Sequence, residues 1–304
     1  DAFSELNPDL VMLLGDRFEI FPAAIASLIR GIPLAHLHGG ELTEASWDDA
    51  IRHSLTKMSH IHFVAAEQYR QRVIQMGESP NRVHVVGGLG VDYVSRSELY
   101  SFNETQNRLG FSDRELNFLI TVHPETSGGE DNFLLIDEVL CALKEYEHAN
   151  LIFTMPNADR ESAVIRDRIA AFCESNCNAM AFDSLGHKLY LSCLKHCDVV
   201  IGNSSSGILE APSLMTPTVN VGKRQHGRLK ASSVFDVEAH RDQILVALNE
   251  INSREPERDY AWFKNPYGDG GACAKIVQIL ESTDFDSLLY KSFFDMPFDL
   301  SFTS

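Results

Sequence analysis

Short apolar runs alternate with amphipathic helical segments in the first part of the chain, and this alternation restricts the fold most. The apolar runs lack the polar–apolar alternation of half-exposed strands, which is typical of parallel strands covered on both faces. The helical segments 18–29 and 67–76 each end beside a glycine suited to a C-cap, and a third lies at 48–58. Strands that alternate with helices form βαβ units. The sequence therefore predicts a parallel sheet with strands at 10–14, 32–37, 61–66 and 83–86.

The alternation resumes after a stretch at 95–116 that is rich in Ser, Asn, Glu and Arg and lacks an apolar period. We therefore predict two Rossmann-like, doubly wound α/β domains at 1–100 and 112–282. A tail at 283–304 is expected to pack back on the first domain. The strands predicted in the second domain are 117–122, 150–155, 179–182, 198–201, 217–221 and 234–237. The helices predicted there are 130–147, 160–175, 187–196, 206–214, 239–251 and 272–282.

The overall composition restricts the partners and the compartment. The chain has 304 residues and a formal net charge of −17, which argues against a general nucleic-acid or anionic-membrane partner. No apolar run reaches the roughly 20 residues that cross a bilayer, and no signal peptide is visible. The six cysteines lack paired C-x-x-C spacing and are interpreted as thiols in preference to zinc ligands or disulfides. A cytoplasmic location is predicted.

Five of the twelve histidines fall between positions 36 and 62, where two predicted strands end in polar residues and glycine. His36 and His38 are two residues apart, so their imidazoles would share one face of a strand. Asp16, Asp48 and Asp49 could serve as carboxylate partners. The pattern suits either proton transfer or a metal site of the amidohydrolase kind.

Two segments of the second domain predict anion binding. The first is Asn203-Ser204-Ser205-Ser206-Gly207, which joins a predicted strand to a helix. Backbone N–H groups, hydroxyls and a helix N-terminus can hold a phosphate there, and an ordinary N-cap would need only one of the serines. The second is the basic segment 223–230, which lies in a stretch without acidic residues between Glu210 and Asp236. This arrangement favours an anion site over an ordinary solvated surface.

Polar residues also follow the strands of both predicted domains. His123 and Asn157 each follow a strand of the second domain, so we expect them to face the same cleft as the first-domain cluster. A cleft between two such domains is a preferred ligand site. Chain position therefore suggests a nucleotide-binding end in the second domain and a reacting end in the first. Gly87-Gly88-Leu89-Gly90 is interpreted as a tight turn, because it lacks the last glycine of a dinucleotide fingerprint.

Together these motifs resemble the hydrolysing UDP-N-acetylglucosamine 2-epimerases of sialic-acid biosynthesis, which have a two-domain fold of the GT-B type. The matching segments follow the family order along most of the chain. They are residues 15–19, 36–41, 48–57, 123–124, 156–157, 202–207 and 222–228.

The resemblance implies that UDP is eliminated across C1–C2 and that water then adds to the 2-acetamidoglucal, releasing N-acetylmannosamine and UDP. It implies no metal and no cofactor, and it implies a homodimer. Glu210 would accept from the ribose hydroxyls, and His123 with Arg224 would offset the diphosphate charge. The implied catalytic positions are Asp16, His36, His38, Asp48 and His123. The implied substrate-binding positions are Arg17, Asn157, Ser204, Ser205, Glu210, Arg224 and Arg228.

Several alternatives stay open at this point. Some relatives carry a carboxylate at the position of His38, so the base at C2 could instead be Asp16, Glu41 or Asp48. The family begins about 80 residues earlier, more than a βαβ unit, so this chain alone is expected to show weak or no activity. The substrate could be a UDP- or GDP-linked diacetamido sugar. The other functions considered are a GT-B glycosyltransferase, a non-catalytic sugar-nucleotide-binding protein and, last, a metal-dependent hydrolase.

Overall fold

A computed structural model describes residues 2–43, 47–112, 114–125, 129–156, 162–253 and 260–297. The chain divides into two compact units. Unit 1 is Asp1–Asp92 together with Gly270–Ser304, and unit 2 is Tyr93–Asp269. Within the described ranges, no helix is long and apolar enough to cross a membrane.

The described strands and helices alternate along most of the chain. The strands are β1 (Val11–Leu14), β2 (Leu34–Leu37), β3 (Ile61–Val64), β4 (Val83–Val85), β5 (Leu116–Thr121), β6 (Ala149–Thr154), β7 (Ala179–Phe182), β8 (Val199–Gly202), β9 (Thr218–Val221) and β10 (Val234–Val237). The helices are α1 (Ala2–Leu6), α2 (Phe21–Ile29), α3 (Trp47–Met58), α4 (Glu67–Gln75), α5 (Leu89–Arg96), α6 (Phe102–Leu109), α7 (Gly129–Leu143), α8 (Ser162–Ser175), α9 (Gly186–His196), α10 (Ser206–Leu209), α11 (Arg241–Ser253), α12 (Ala272–Glu281) and α13 (Phe285–Leu288).

Unit 1 contains a parallel sheet of four strands in the order β1-β2-β3-β4. Both inner strands, β2 and β3, are buried along their whole length, which explains why their sequences read as unbroken apolar runs. The loops after β1 and β2 leave the sheet at the same edge, because parallel strands end on the same side. This edge carries Asp16 and His38.

Unit 2 contains a parallel sheet of six strands in the order β10-β9-β8-β5-β6-β7. After β5, the strands β6 and β7 are added on one side of it, and β8, β9 and β10 are then added on the other side. The strand order therefore reverses between β5 and β8, which are paired along Phe118–Thr121 and Val199–Gly202. In such sheets, the crevice outside the carboxyl ends of the two strands at this switch point is the usual ligand site.

The predicted fold class is confirmed, with two parallel α/β sheets and every predicted strand shifted by at most two residues at either end. The sequence predicts irregular chain at 95–116, but this region contains the end of α5 and all of α6. In α6 only Thr105 and Leu109 are buried, so the helix shows no apolar period. It is defined instead by a capping box between Ser101 and Glu104.

The division of the chain also differs from the predicted boundaries. It falls after Asp92, and α12 belongs to unit 1 although its sequence was grouped with the second domain. The reason is packing, since Ala272 and Ile276 of α12 join the buried cluster of β2 and β3. The tail beyond α12 also contacts unit 1, where the Arg82 guanidinium donates to the carbonyls of Ser287, Leu288 and Tyr290 at 3.1, 2.8 and 2.8 Å.

Candidate active site

Arg52 is the buried centre of a polar cluster in unit 1. It lies on α3 and is 1% exposed. Its guanidinium donates to the Glu41 carbonyl and to Asp49 Oδ1, both at 2.9 Å, and to Thr43 Oγ1 at 2.8 Å. It also pairs with the carboxylate of Asp16. Because an unpaired buried charge is strongly destabilising, Arg52 ties the loops after β1 and β2 to α3.

Asp16 is held by Arg52 but stays accessible to a ligand. The Asp16 side chain is 24% exposed, whereas that of Arg52 is 2% exposed. Its Oδ2 pairs with Arg52, which fixes the direction of the carboxylate. The sequence predictions included Asp16 but missed Arg52. The available indication was the spacing of three residues from Asp49, which puts the two side chains next to each other on a helix.

His38 lies just beyond β2, in a left-handed backbone conformation with φ of 63°. The expected shared face with His36 does not apply, because the strand alternation ends with β2 at Leu37. His38 Nδ1 donates to Glu41 Oε1 at 2.7 Å, and His38 Nε2 accepts a hydrogen bond from the Leu89 amide at 3.4 Å. Glu41 thus orients the imidazole, and Nε2, whose hydrogen bond is the longer of the two, is the nitrogen better suited to exchange a proton.

His36 is fully buried in β2. Its Nε2 donates to the Gly15 carbonyl at 2.8 Å, so its Nδ1 accepts from the Thr56 hydroxyl at 3.1 Å. Burial lowers the pKa of His36 to about 3. The ring is therefore neutral near pH 7, and both nitrogens are engaged, which suits neither direct proton transfer nor metal ligation. We infer that His36 acts indirectly, by holding Gly15 in place beside Asp16.

The neutral, buried state of His36 predicts a loss of stability in mild acid. The folded chain resists protonation of His36, whereas the unfolded chain takes up this proton below about pH 6.5. Stability therefore falls as the pH decreases from about 6.5 towards 3 and is unaffected by this group above pH 7. We expect His36 alone to lower the free energy of unfolding by about 2 kcal/mol between pH 7.5 and pH 5.

Urea unfolding of the wild type and of His36→Gln at both pH values measures this effect. The difference between pH 7.5 and pH 5 should shrink by about 2 kcal/mol in the variant. His240→Gln, at an exposed histidine, is the matched control and should leave the difference unchanged. An equal pH dependence in wild type and His36→Gln would show that His36 is not the group responsible.

The other predicted residues of unit 1 lie beside this cluster in the chain. Asp48 occupies the first turn of α3 and is half-buried. Arg17 follows Asp16 directly and is exposed, and its guanidinium pairs with Glu19 at 2.7 Å. Asp49, next to Asp48, also contacts His53 at 3.2 Å. Carboxylates and cations thus accompany Asp16 at this edge of the sheet.

His60 and His62 belong to a different part of unit 1. His62 Nε2 donates to Glu78 Oε2 at 2.9 Å, and the two side chains are 0% and 1% exposed. Lys57 and Lys291 contact the same carboxylate at 2.6 and 2.8 Å. Burial alone would raise the pKa of Glu78, but hydrogen bonds from His62, Lys291 and Lys57 lower it to about 2. Among the described residues no three His, Cys, Asp or Glu side chains are grouped to hold a metal ion.

In unit 2, Asn203 joins the carboxyl ends of the two central strands. Its Oδ1 accepts from the His123 amide at 2.7 Å, and its Nδ2 donates to the His123 carbonyl at 2.8 Å. Gly202 permits this close approach, because its φ is 128° and a Cβ there would overlap the Thr121 carbonyl. Since β5 and β8 flank the switch point, His123 and the serines after Asn203 lie at the expected ligand crevice of this sheet.

The helix predicted after β8 is interrupted in the structure. The predicted helix 206–214 is divided into α10 and a 3₁₀ turn at Ala211–Leu214, because Pro212 cannot donate the backbone hydrogen bond that would continue α10. Ser204 and Ser205 precede α10, and Glu210 lies between the two turns. Burial raises the pKa of Glu210 to about 7. The protonation state of Glu210 near pH 7 therefore depends on the groups that bind beside it.

The basic segment after β9 is fastened to the same turn. Arg224 Nη1 and Gln225 Nε2 both donate to the Asn203 carbonyl, at 3.1 and 2.9 Å. Glu125 Oε1 accepts from the amides of Lys223 and Arg224 at 2.7 and 3.0 Å. The structure thus brings Arg224 to the turn that carries Ser204 and Ser205. Glu125 was missed from the sequence because it lies far from this segment in the chain.

Two members of the predicted basic segment differ in their surroundings. Lys230 pairs with Asp236 at 2.8 Å. Because a carboxylate already neutralises this cation, we do not include Lys230 in the candidate anion site. Arg228 lies close enough to Glu210 to lower the pKa of that carboxyl group, and its buried Nε lacks a hydrogen-bond partner among the described residues. Asn157, also predicted as a substrate contact, lies outside the described residues.

The sequence matches a family model described as UDP-N-acetylglucosamine 2-epimerase over residues 1–281. A GDP/UDP-N,N'-diacetylbacillosamine 2-epimerase (hydrolyzing) from Campylobacter jejuni is 40% identical over 299 residues, which are 97% of this chain and 77% of the relative. A UDP-N,N'-diacetylbacillosamine 2-epimerase (hydrolyzing) from Legionella pneumophila is 34% identical over 287 residues, which are 94% of this chain and 74% of the relative.

Among solved structures, the chain resembles the UDP-GlcNAc 2-epimerase from Neisseria meningitidis bound to UDP-GlcNAc. The TM-score is 0.81 at 21% sequence identity, and the match covers 93% of this chain and 79% of that structure. At this level of identity the likeness establishes the fold, and it agrees with the GT-B type that the sequence predicted.

Proposed function

Because the chain belongs to the UDP-N-acetylglucosamine 2-epimerase family, we propose that it is a hydrolysing 2-epimerase of a nucleotide-linked 2-acetamido sugar. The reaction removes the C2 proton, expels the nucleoside diphosphate from C1, and adds water to the resulting glycal with inversion at C2. The observation that carries this proposal is the Asp16–Arg52 pair, in which a fully buried cation holds an accessible carboxylate among further acid and base groups. Proton abstraction next to a leaving group needs a carboxylate or imidazole held in this way.

A nucleotide-linked diacetamido sugar, of the N,N'-diacetylbacillosamine type, is the substrate that we favour. The sequence alone pointed first to UDP-N-acetylglucosamine and kept the diacetamido sugar as an alternative. The relatives from Campylobacter jejuni and Legionella pneumophila, at 40% and 34% identity, support that alternative. UDP-N-acetylglucosamine stays the second candidate, because it is the substrate in the description of the family model.

Inversion at C2 requires two proton-transfer groups, since the proton leaves one face of the sugar and returns to the other. We assign Asp16 and His38 to these two roles. Asp16 is fixed by Arg52, and His38 is fixed by Glu41 with its Nε2 directed away from that carboxylate. A base that is oriented by a neighbouring carboxylate is a common arrangement in enzyme active sites. Asp48 is the remaining carboxylate candidate, and His36 supports Asp16 through Gly15.

The nucleoside diphosphate is assigned to unit 2. Ser204 and Ser205, with the amides of their turn, suit phosphate oxygens, and the cation of Arg224 is fastened to the same turn. His123 follows the neighbouring strand and is joined to that turn through Asn203. Glu210 is assigned to the ribose hydroxyls, with Arg228 beside it, and Arg17 and Asn157 are kept as further predicted contacts.

Nucleotide affinity should increase as the pH rises through 7. Only the ionised carboxylate of Glu210 accepts from both ribose hydroxyls, and burial raises the pKa of the free carboxyl group to about 7. Binding should therefore weaken below that pH by up to about tenfold per pH unit. Calorimetric titration of UDP at pH 6 and pH 8 into wild type and Glu210→Gln tests this. The phosphate of UDP titrates equally in both experiments, so a pH dependence that is the same in Glu210→Gln would exclude the role of Glu210.

A substrate panel tests the proposed function itself. The full-length protein would be incubated with UDP-N,N'-diacetylbacillosamine, its GDP analogue and UDP-N-acetylglucosamine, with and without a chelator. We expect release of nucleoside diphosphate and of the 2-epimeric sugar, observed by NMR, with unchanged rates in the chelator. Release from none of the three would refute the proposal, and transfer of the sugar only to an added acceptor would indicate a glycosyltransferase. Loss of activity with the chelator would restore the metal-dependent alternative.

We also retain the predictions of a homodimer and of a cytoplasmic location. The homodimer rests on the family resemblance. Sedimentation analysis at micromolar concentration tests it directly, because a molecular mass of one chain would contradict it.

A further inference from the structure

Two large aromatic side chains of unit 1 that are close in the chain to Asp16 and Asp48 are exposed. Phe18 is 51% exposed and Trp47 is 58% exposed, and their ring centroids are 5.8 Å apart at an interplanar angle of 37°. Single exposed apolar side chains are ordinary on protein surfaces, but a pair in contact at the edge of a polar site is a feature of ligand sites. We call Phe18 and Trp47 the aromatic pair.

The aromatic pair is attached to the same framework as the proposed catalytic groups. Phe18 follows Asp16 by two residues, and Trp47 is the first residue of α3, directly before Asp48. Arg52 of α3 pairs with Asp16, so one buried contact holds the segments that carry both rings. The guanidinium of Arg17 lies 6.0 Å from the Phe18 ring. The two rings thus lie on segments that adjoin Asp16 and Asp48 in the chain, and they offer no hydrogen-bonding group apart from the indole N–H.

We propose that the aromatic pair is a specificity wall, which receives the C6 methyl group and the adjoining face of a 2,4-diacetamido-6-deoxy sugar. This inference rests on the proposed function. In N-acetylglucosamine C6 carries a hydroxyl group, which loses water against such a wall and gains few partners. A methyl group in the same place releases water from apolar surface. A hydrophobic site discriminates against an added hydroxyl by about a hundredfold at most.

The inference is tested by measuring selectivity in Phe18→Ala and Trp47→Ala. Their kcat/KM for UDP-N,N'-diacetylbacillosamine should fall, whereas the inhibition constant of UDP-N-acetylglucosamine as a competitor should change little. We expect kcat/KM for the diacetamido sugar, divided by the affinity for UDP-N-acetylglucosamine as an inhibitor, to decrease about tenfold or more in each variant. The Kd of UDP should stay unchanged. Trp47→Phe should keep most of the selectivity. Tyr290→Ala, which removes an aromatic side chain of unit 1 that is 85% exposed, is the matched control and should behave as wild type.

Binding of the two UDP-sugars to Asp16→Asn, with and without Trp47→Ala, separates this inference from the proposed function. If the wild type turns over the diacetamido sugar but Trp47→Ala keeps the full selectivity in turnover and binding, the specificity wall is wrong. If no sugar nucleotide is turned over, but the difference in affinity between the two UDP-sugars depends on Trp47, the specificity wall is supported and the proposed reaction is refuted. A decrease in oligomeric mass in Trp47→Ala at unchanged selectivity would make the pair a contact between copies of the chain, and would overturn the inference.

Discussion

Replacing Asp16 with asparagine is expected to lower kcat by about 10²–10⁴-fold, the range typical of a positioned proton-transfer group. Asparagine has the same shape as aspartate and can still accept a hydrogen bond from Arg52, so the fold of unit 1 should be retained. The UDP contacts that we assign to unit 2 do not involve this residue. We therefore expect the Kd of UDP to stay within about threefold of wild type, which is far smaller than the loss of turnover.

Steady-state release of nucleoside diphosphate and calorimetric titration of UDP give these two quantities. Asp286→Asn, at an exposed carboxylate of α13, is the matched control and should leave both unchanged. Glu41→Gln distinguishes the alternative base, because it disturbs the imidazole of His38 and leaves Asp16 intact. If Asp16→Asn kept wild-type turnover while Glu41→Gln lost it, the proton abstraction would belong to the His38–Glu41 pair.

Replacing Arg52 with lysine is expected to reduce both stability and turnover although the charge is conserved. Lysine has a single ammonium group and cannot reproduce the fork that reaches Asp16, Asp49 and the Glu41 carbonyl together. We expect the free energy of unfolding to fall by about 3 kcal/mol, as for a buried charged network that loses its partners. A displaced Asp16 should also lower kcat about a hundredfold, because reacting groups tolerate little misplacement.

Urea unfolding and kinetic assays of the folded variant measure the two effects separately. Arg168→Lys is the matched control, because Arg168 contacts Asp137 at 3.5 Å with both side chains about half exposed, and exposed pairs contribute at most about 1 kcal/mol. An Arg52→Lys variant with wild-type stability and turnover would show that the Arg52 cluster neither holds unit 1 together nor places Asp16.

The sheets could be predicted from the sequence because their central strands are buried on both faces. β2, β3, β6, β8 and β9 are buried at every position, so they read as continuous apolar runs between helices. The short helix α6 could not be found this way, since most of its residues face water. The place of α12 could not be found either, because nothing in its own sequence distinguishes packing on one sheet from packing on the other.

The sequence supplied candidate residues for the site, but it did not show the contacts between them. Asp16, His38, Ser204 and Arg224 could be chosen because they follow apolar strands or resemble family motifs. The contacts that organise them depend on residues distant in the chain, such as Asn203 with His123 and Glu125 with Arg224. His36 was chosen as a catalytic residue, but its burial and its bonds to Gly15 and Thr56 are tertiary facts, and they indicate a supporting role.

Turnover of the UDP-linked diacetamido sugar in D₂O, or in water enriched in ¹⁸O, tests the central claim most directly. Elimination followed by hydration predicts one deuterium at C2 of the released 2-epimer and no ¹⁸O in the released UDP, because the C1–O bond breaks. Simple hydrolysis would instead give an unepimerised sugar with its original C2 proton, and cleavage at phosphorus would put ¹⁸O into the nucleotide. Either of these results would contradict a hydrolysing 2-epimerase.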